Sequence, residues 1–142
     1  MINLIGILTA LIFLSISLLH VYWAFGSRRD GNTVIPTHNG KSLFTPSPGM
    51  TLLVALLLLI AALLVLGTLG YWNVGLPLGF FKMGTWGVAV VLLLRSIGDF
   101  RFVGFFKRVR DTAFARNDTL FYSPLCLCLA ASCAAVSLWA VA

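Results

Sequence analysis

Charge is what this chain has least of. Of its 142 residues, 10% are Asp, Glu, Lys or Arg and 60% are hydrophobic, with a mean hydropathy of +1.01. A soluble domain carries about 25% charged residues, so the polar groups here are too few to cover a globular surface, and a soluble enzyme is excluded. Disorder is excluded too, because disordered chains are poor in apolar residues. Metal-binding side chains are equally scarce. The two histidines are His20 and His38, and the three cysteines, Cys126, Cys128 and Cys133, fall in one apolar stretch at a spacing that suits neither a disulfide within a helix nor a zinc site. No metal site and no cofactor is expected. The nucleophile elbow G-x-S-x-G is absent. The Gly40-Lys41-Ser42 triplet is not a phosphate loop, because Ile35 stands where that motif needs glycine.

What the chain does have is long apolar runs. A membrane helix needs roughly 20 such residues, and four stretches approach that: 2–25, 50–72, 80–98 and 124–142. The third is the weakest, with Lys82 and Arg95 near its ends, where long cationic side chains reach the interface. The fourth opens on Ser123-Pro124, a helix-start signal. The first is not read as a cleaved signal peptide, since no basic residue precedes it and it is longer than a typical signal core. The expected fold is an all-α integral membrane four-helix bundle, one domain over 1–142. Twelve of the fourteen charged residues fall between spans one and two or between spans three and four. Eight of the Lys and Arg residues are among them, which puts both long loops in the cytoplasm and both termini outside.

The segment between spans three and four carries the most information. Phe102, Phe105, Phe106, Val109 and Ala113 recur at three- and four-residue spacing among Arg101, Lys107, Arg108, Arg110 and Asp111. That period fits a basic amphipathic helix in the membrane interface, with anionic lipids as partners. It fits equally a span three that continues past the membrane. Nucleic acid is not an expected partner, because these charges already satisfy the positive-inside bias. Gly84, Gly87 and the alanines at 130, 131, 134 and 135 would let helices approach closely, within one bundle, a homodimer or a partner membrane protein.

Ionisable groups at a span are costly and so become the functional candidates. They are His20, flanked by Tyr22 and Trp23; Arg95 and Asp99, four apart and able to pair on one helical face; Arg101; and Asp118 with Tyr122, just before span four. The topology brings them all to the cytoplasmic end. Each also has a plainer use: His20 bonding a backbone carbonyl, Tyr22 and Trp23 in the aromatic belt, Arg95 with Asp99 as a structural pair, Asp118 as a helix cap.

The strings His20-Val21-Tyr22-Trp23-Ala24-Phe25-Gly26, Ile35-Pro36, Leu43-Phe44-Thr45-Pro46, Arg95-Ser96-Ile97-Gly98-Asp99-Phe100-Arg101, Gly104-Phe105-Phe106-Lys107, Phe114-Ala115-Arg116, Asp118-Thr119 and Tyr122-Ser123-Pro124-Leu125 resemble a bacterial family of small four-helix membrane proteins. It is catalogued as domain of unknown function 3995. The resemblance spans nearly the whole chain and implies a bacterial inner-membrane protein of four helices; it lends no activity. The expectation that follows is a bundle binding a small anionic amphiphile or lipid headgroup at the cytoplasmic leaflet. Arg95 and Arg101 would contact the anion, His20, Asp99 and Tyr122 would hydrogen-bond it, and Trp23 with Phe100 would cover its apolar part. Whether a reaction follows stays open. The alternatives are a proton-coupled or small-solute transporter, which the scarcity of polar residues in the outer halves of the spans disfavours, and an accessory subunit of a membrane complex.

Overall fold

The computed structural model describes residues 1–26, 35, 37–38, 41–42 and 46–140. Among them are four helices long and apolar enough to cross a membrane. Helix α1 runs Ile2–Phe25, α2 Pro48–Thr68 and α3 Leu78–Ile97. The fourth is composite: α4 (Ala113–Asn117), a π-helical turn (Asp118–Tyr122) and α5 (Ser123–Trp139) form one rod from Ala113 to Trp139. In the first long loop a two-residue antiparallel ladder pairs β1 (Thr37–His38) with β2 (Lys41–Ser42). Arg28 and Arg29, which entered the charge argument, and residues 141–142 of the expected fourth span lie outside the described residues.

Local chemistry explains the boundaries. Ser47 caps α2 by accepting from the Met50 N–H at 3.2 Å, with Pro48 at the first helical position, where no N–H is needed. Helix α3 stops at Gly98, whose φ of 90° lies in the left-handed region that glycine adopts without steric cost. The fourth helix begins ten residues before the Ser123-Pro124 signal, at a Thr112 cap whose hydroxyl accepts from the Ala115 N–H at 3.0 Å. Pro124 therefore sits inside a helix. Its ring would press on the carbonyl one α-turn back, and the wider π turn that precedes it relieves this, with the Ser123 N–H donating to the Asp118 carbonyl.

The helices run alternately up and down. Ser17, late in α1, donates to the Ala55 carbonyl early in α2 at 2.7 Å. Thr68, at the end of α2, shares a 2.9 Å hydroxyl–hydroxyl bond with Thr85 early in α3. Ser137, late in α5, donates to the Lys82 carbonyl early in α3 at 2.7 Å. Each pair of helices adjacent in the chain is thus stapled by one buried hydroxyl, which suits an apolar solvent: lipid gives helices no hydrophobic reason to associate, so packing and such bonds must do so. Between the staples lies a core of small and medium residues, with Phe13, Ala62, Val65, Ala89, Cys133 and Val136 inside. Cys133 is a packing residue here, and all three thiols are free. Only 22–28% of the residues in the most apolar windows are buried, so most of each helix faces outward. Those outward faces are mostly large apolar residues, leucine above all with valine, isoleucine, methionine and aromatics, as a lipid-facing surface requires.

Close approach of α2 and α3 depends on Gly67, where a β-carbon would collide with the ring of buried Phe81. Gly67→Ala is expected to destabilise the bundle by about 1–3 kcal/mol, the usual cost of overpacking. Ser17→Ala should cost about 0.6 kcal/mol, an average interhelical hydrogen bond in a membrane protein. Reversible unfolding in mixed micelles against a rising fraction of denaturing detergent measures both.

Candidate functional site

The alternation of the helices gathers the ends of α1 and α3 and the starts of α2 and α4 at one end of the bundle. His20, Arg95, Asp99, Arg101, Asp118 and Tyr122 all lie there, with most of the lysines and arginines; this is called the basic end below.

The segment 98–112, where the amphipathic period pointed to a helix or a continuing span, forms neither. The reason is Asp99. Its Oδ1 accepts from the N–H groups of Arg101, Phe102 and Val103 at 2.9, 2.7 and 2.9 Å, and this competes with helix formation just past α3. The chain then doubles back over the C-terminus of α3. Phe105 N–H donates to the Ser96 carbonyl at 2.9 Å, so the loop satisfies a carbonyl that the helix end leaves open. Gly98 and Gly104 permit the reversal: both have φ near 90°, and their Cα atoms pass so closely that a β-carbon on either would strike the other's backbone. Farther on, the N–H groups of Arg108 and Val109 both donate to the Arg101 carbonyl, at 3.2 and 3.0 Å, which brings Arg101 and Arg108 together although they are seven residues apart.

Beneath the loop is a buried ionic cluster. Asp118 is fully buried, and Lys107 is only 2% exposed. Asp118 Oδ1 accepts from Arg95 Nη2 at 2.9 Å, while Oδ2 accepts from Lys107 Nζ at 3.0 Å and from the Gly104 N–H at 2.7 Å. Lys107 uses its remaining two protons on the Gly104 carbonyl (2.8 Å) and Thr119 Oγ1 (2.7 Å). The expected Arg95–Asp99 pair does not form. Arg95 reaches across to Asp118 instead, because Asp99 is already committed to three backbone N–H groups. Lys107, read from sequence as one of several surface cations, is the buried partner; nothing in its neighbourhood distinguishes it from Arg108 until the fold is known.

His20 hydrogen-bonds through Nδ1 to the Ile16 carbonyl at 2.8 Å, so Nδ1 carries a proton, and its ring lies 5.2 Å from that of Trp23. Both contacts stay within α1 and match the plainer use foreseen for His20. Tyr22 is exposed, and Tyr122 stacks 6.1 Å from Phe114. The open part of the site is therefore the loop itself. Asp99, Phe100, Arg101, Arg108 and Val109 line a surface groove of about 520 Å³. Phe100 borders it with φ 60°, a conformation that bulky side chains rarely adopt, and its ring is 58% exposed, 6.3 Å from the exposed ring of Phe106.

Desolvation is the largest single influence on Asp99 and opposes its ionisation, but the N–H groups of Val103, Arg101 and Phe102 together outweigh it and hold the carboxyl below the usual aspartate range.

A family model described as Protein of unknown function (DUF3995) matches residues 13–133, and the chain belongs to that family. The matched region runs from the middle of α1 into α5 and contains every residue of the site. No curated protein and no solved structure matches the chain.

Two expectations follow. Asp118→Ala leaves Lys107 buried without its counter-charge and should cost about 3–5 kcal/mol by the same micellar unfolding measurement. For Asp99, the unfolded loop titrates near about pH 3.9 and the folded loop lower. The stabilisation is complete above the unfolded value and is lost as pH falls through the folded one. Amide exchange at Arg101, Phe102 and Val103 should therefore accelerate, relative to helical amides, on acidification below about pH 4, and Asp99→Ala should exchange rapidly at every pH.

Proposed function

We propose that this member of the family binds the anionic headgroup of a lipid or similar amphiphile at its basic end. The observation that carries the reading is the groove in which Arg101 and Arg108 converge beside the exposed Phe100–Phe106 pair. Two arginines lining one groove suit a phosphate-type anion. Two outward aromatic rings at the same level suit insertion among acyl chains, the arrangement of an interfacial anchor. Strain at Phe100 favours the same reading, since a bulky residue is held at positive φ only where its surroundings impose it.

The roles differ from those expected from sequence. Arg101 and Arg108 contact the anion. Asp99 is a positioning residue, which shapes the loop through its backbone bonds. Arg95, Lys107 and Asp118 anchor that loop to the fourth helix. His20, Tyr22, Trp23 and Tyr122 flank the site as interfacial side chains. The excess of Lys and Arg at this end supports, by the positive-inside rule, a site on the cytoplasmic face with both termini outside, and the family resemblance implies a bacterial inner membrane.

The test is retention of lipid by the purified chain in mild detergent, read by native mass spectrometry. Phosphatidylglycerol should bind in preference to phosphatidylcholine. Each lost cation near the surface is worth about 1 kcal/mol, so Arg101→Ala with Arg108→Ala should weaken phosphatidylglycerol about 30-fold while the helical circular dichroism is unchanged. Equal binding of the two lipids, or no loss in the double variant, overturns the proposal.

A further inference from the structure

The loop groove carries charge of both signs. Asp99, Arg101 and Arg108 all line it, and all three are exposed. None of them pairs with another: among the described residues the ion pairs are those of Asp118 with Arg95 and Lys107. Arg101 stacks on a ring instead, its Cζ 5.1 Å from the centroid of Phe102. The carboxylate is only half used. Oδ1 takes the N–H groups of Arg101, Phe102 and Val103, whereas Oδ2 accepts from no other described residue.

A bare phosphate would suit the two arginines and be repelled by the aspartate. The backbone bonds that hold Asp99 below the usual aspartate range keep it ionised at neutral pH, and an ionised carboxylate can only accept hydrogen bonds. A ligand that answers the whole groove therefore presents an O–H or N–H donor beside its phosphate. Charge decides between the two. Two arginines and one aspartate leave the groove with one net positive charge, which a phosphodiester bearing a neutral hydroxyl balances and one bearing an ammonium does not. At about 520 Å³ the groove lies in the size range of small-ligand sites, with room for a substituent on the phosphate.

We propose that the groove reads the alcohol of the lipid headgroup as well as its phosphate: Arg101 and Arg108 hold the phosphodiester, and Asp99 Oδ2 accepts from a free hydroxyl on the alcohol, as a phosphoglycerol headgroup supplies. The inference rests on the headgroup reading of the groove and adds a specificity-determining residue to it. Asp99 then serves through both oxygens, Oδ1 shaping the loop and Oδ2 selecting the ligand. The three side chains border one space, so a ligand in the groove meets them together. A phosphodiester without a hydroxyl leaves Oδ2 facing an anion, and a headgroup that carries its own carboxylate sets like charge against it.

The experiment compares phosphatidylglycerol with phosphatidylpropanol, the same phosphodiester and charge without the two hydroxyls, by native mass spectrometry of the full chain in mild detergent. Phosphatidylglycerol should bind about tenfold tighter, the worth of one hydrogen bond to a charged acceptor. This comparison uses the unaltered chain and so does not depend on how a variant folds. In Asp99→Asn the amide oxygen still serves the turn, as asparagine does elsewhere, while an NH2 group replaces Oδ2. The variant should bind phosphatidylpropanol severalfold tighter, since a like charge is gone, and the preference for phosphatidylglycerol should fall toward one. Glycerophosphoglycerol, the same headgroup without acyl chains, should bind at least tenfold more weakly than the lipid; equal binding overturns a lipid as the source of the headgroup. Equal affinity for the two lipids, both lost in Arg101→Ala with Arg108→Ala, overturns the role of Asp99 and leaves the headgroup reading standing. Binding of both lipids that the double variant does not weaken overturns the headgroup reading and this inference with it.

Discussion

A carboxylate with no exposed surface has to be paired and hydrogen-bonded, and Asp118 is such a group. Its partners come from three different parts of the chain: Arg95 at the end of α3, the Gly104 N–H at the turn of the loop, and Lys107 beyond it. Those bonds fix the end of α3, the path of residues 98–107 and the start of the fourth helix relative to one another in a single step. The reversal at Gly98 and Gly104, the approach of Arg101 to Arg108 and the outward turn of Phe100 all presuppose it. A buried ion pair is weak evidence for stability, since apolar residues of similar volume often serve as well. Here it is better understood as specifying one loop conformation among the many that a glycine-containing, aromatic-rich segment could adopt.

Elsewhere the structure uses a different device. The spans are apolar around nearly their whole circumference, so no amphipathic stripe tells one helix which face to turn toward another. Direction comes from small residues that allow contact, as Gly67 does beneath Phe81, and from single hydroxyls that bond across: Ser17 to Ala55, Thr68 to Thr85, Ser137 to Lys82. Each is weak. Their distribution, one for every sequential pair of helices, gives the bundle its register without placing a charge in the hydrocarbon.

The four spans and their alternation were legible because length and hydropathy suffice for them; even the least apolar, Leu78–Ile97, averages 1.5 over its best window. Span ends were less so. Ser123-Pro124 carries every mark of a helix start, yet the helix begins at Ala113, because Phe114 and Ala115 bury themselves and a π turn accommodates the proline. That Arg95, Asp99 and Asp118 come to one end of the bundle was readable; their pairing was not. Arg95 and Asp99 sit at ideal helical spacing, but that spacing has meaning only if the helix continues, and Asp99 itself ends it by taking three backbone N–H groups. Lys107 was hidden for the opposite reason: a lysine among arginines on a loop looks solvated, and only a carboxylate eleven residues later in the chain draws it inside.

The π turn has a consequence for the chain's tolerance of length change. Successive residues of an α-helix advance by about 100°, and the turn at Asp118–Tyr122 carries one residue more than an α-turn would. That surplus residue sets the rotational phase of Asp118 against everything from Ser123 onward, so the ionic cluster and the packed face of α5 are held in step by a single unit of sequence. Losing one residue between them would leave the composition, hydropathy and helix content of the span almost untouched while swinging the carboxylate by about 100° away from its two cations. In this stretch the spacing of residues is under tighter constraint than their identity.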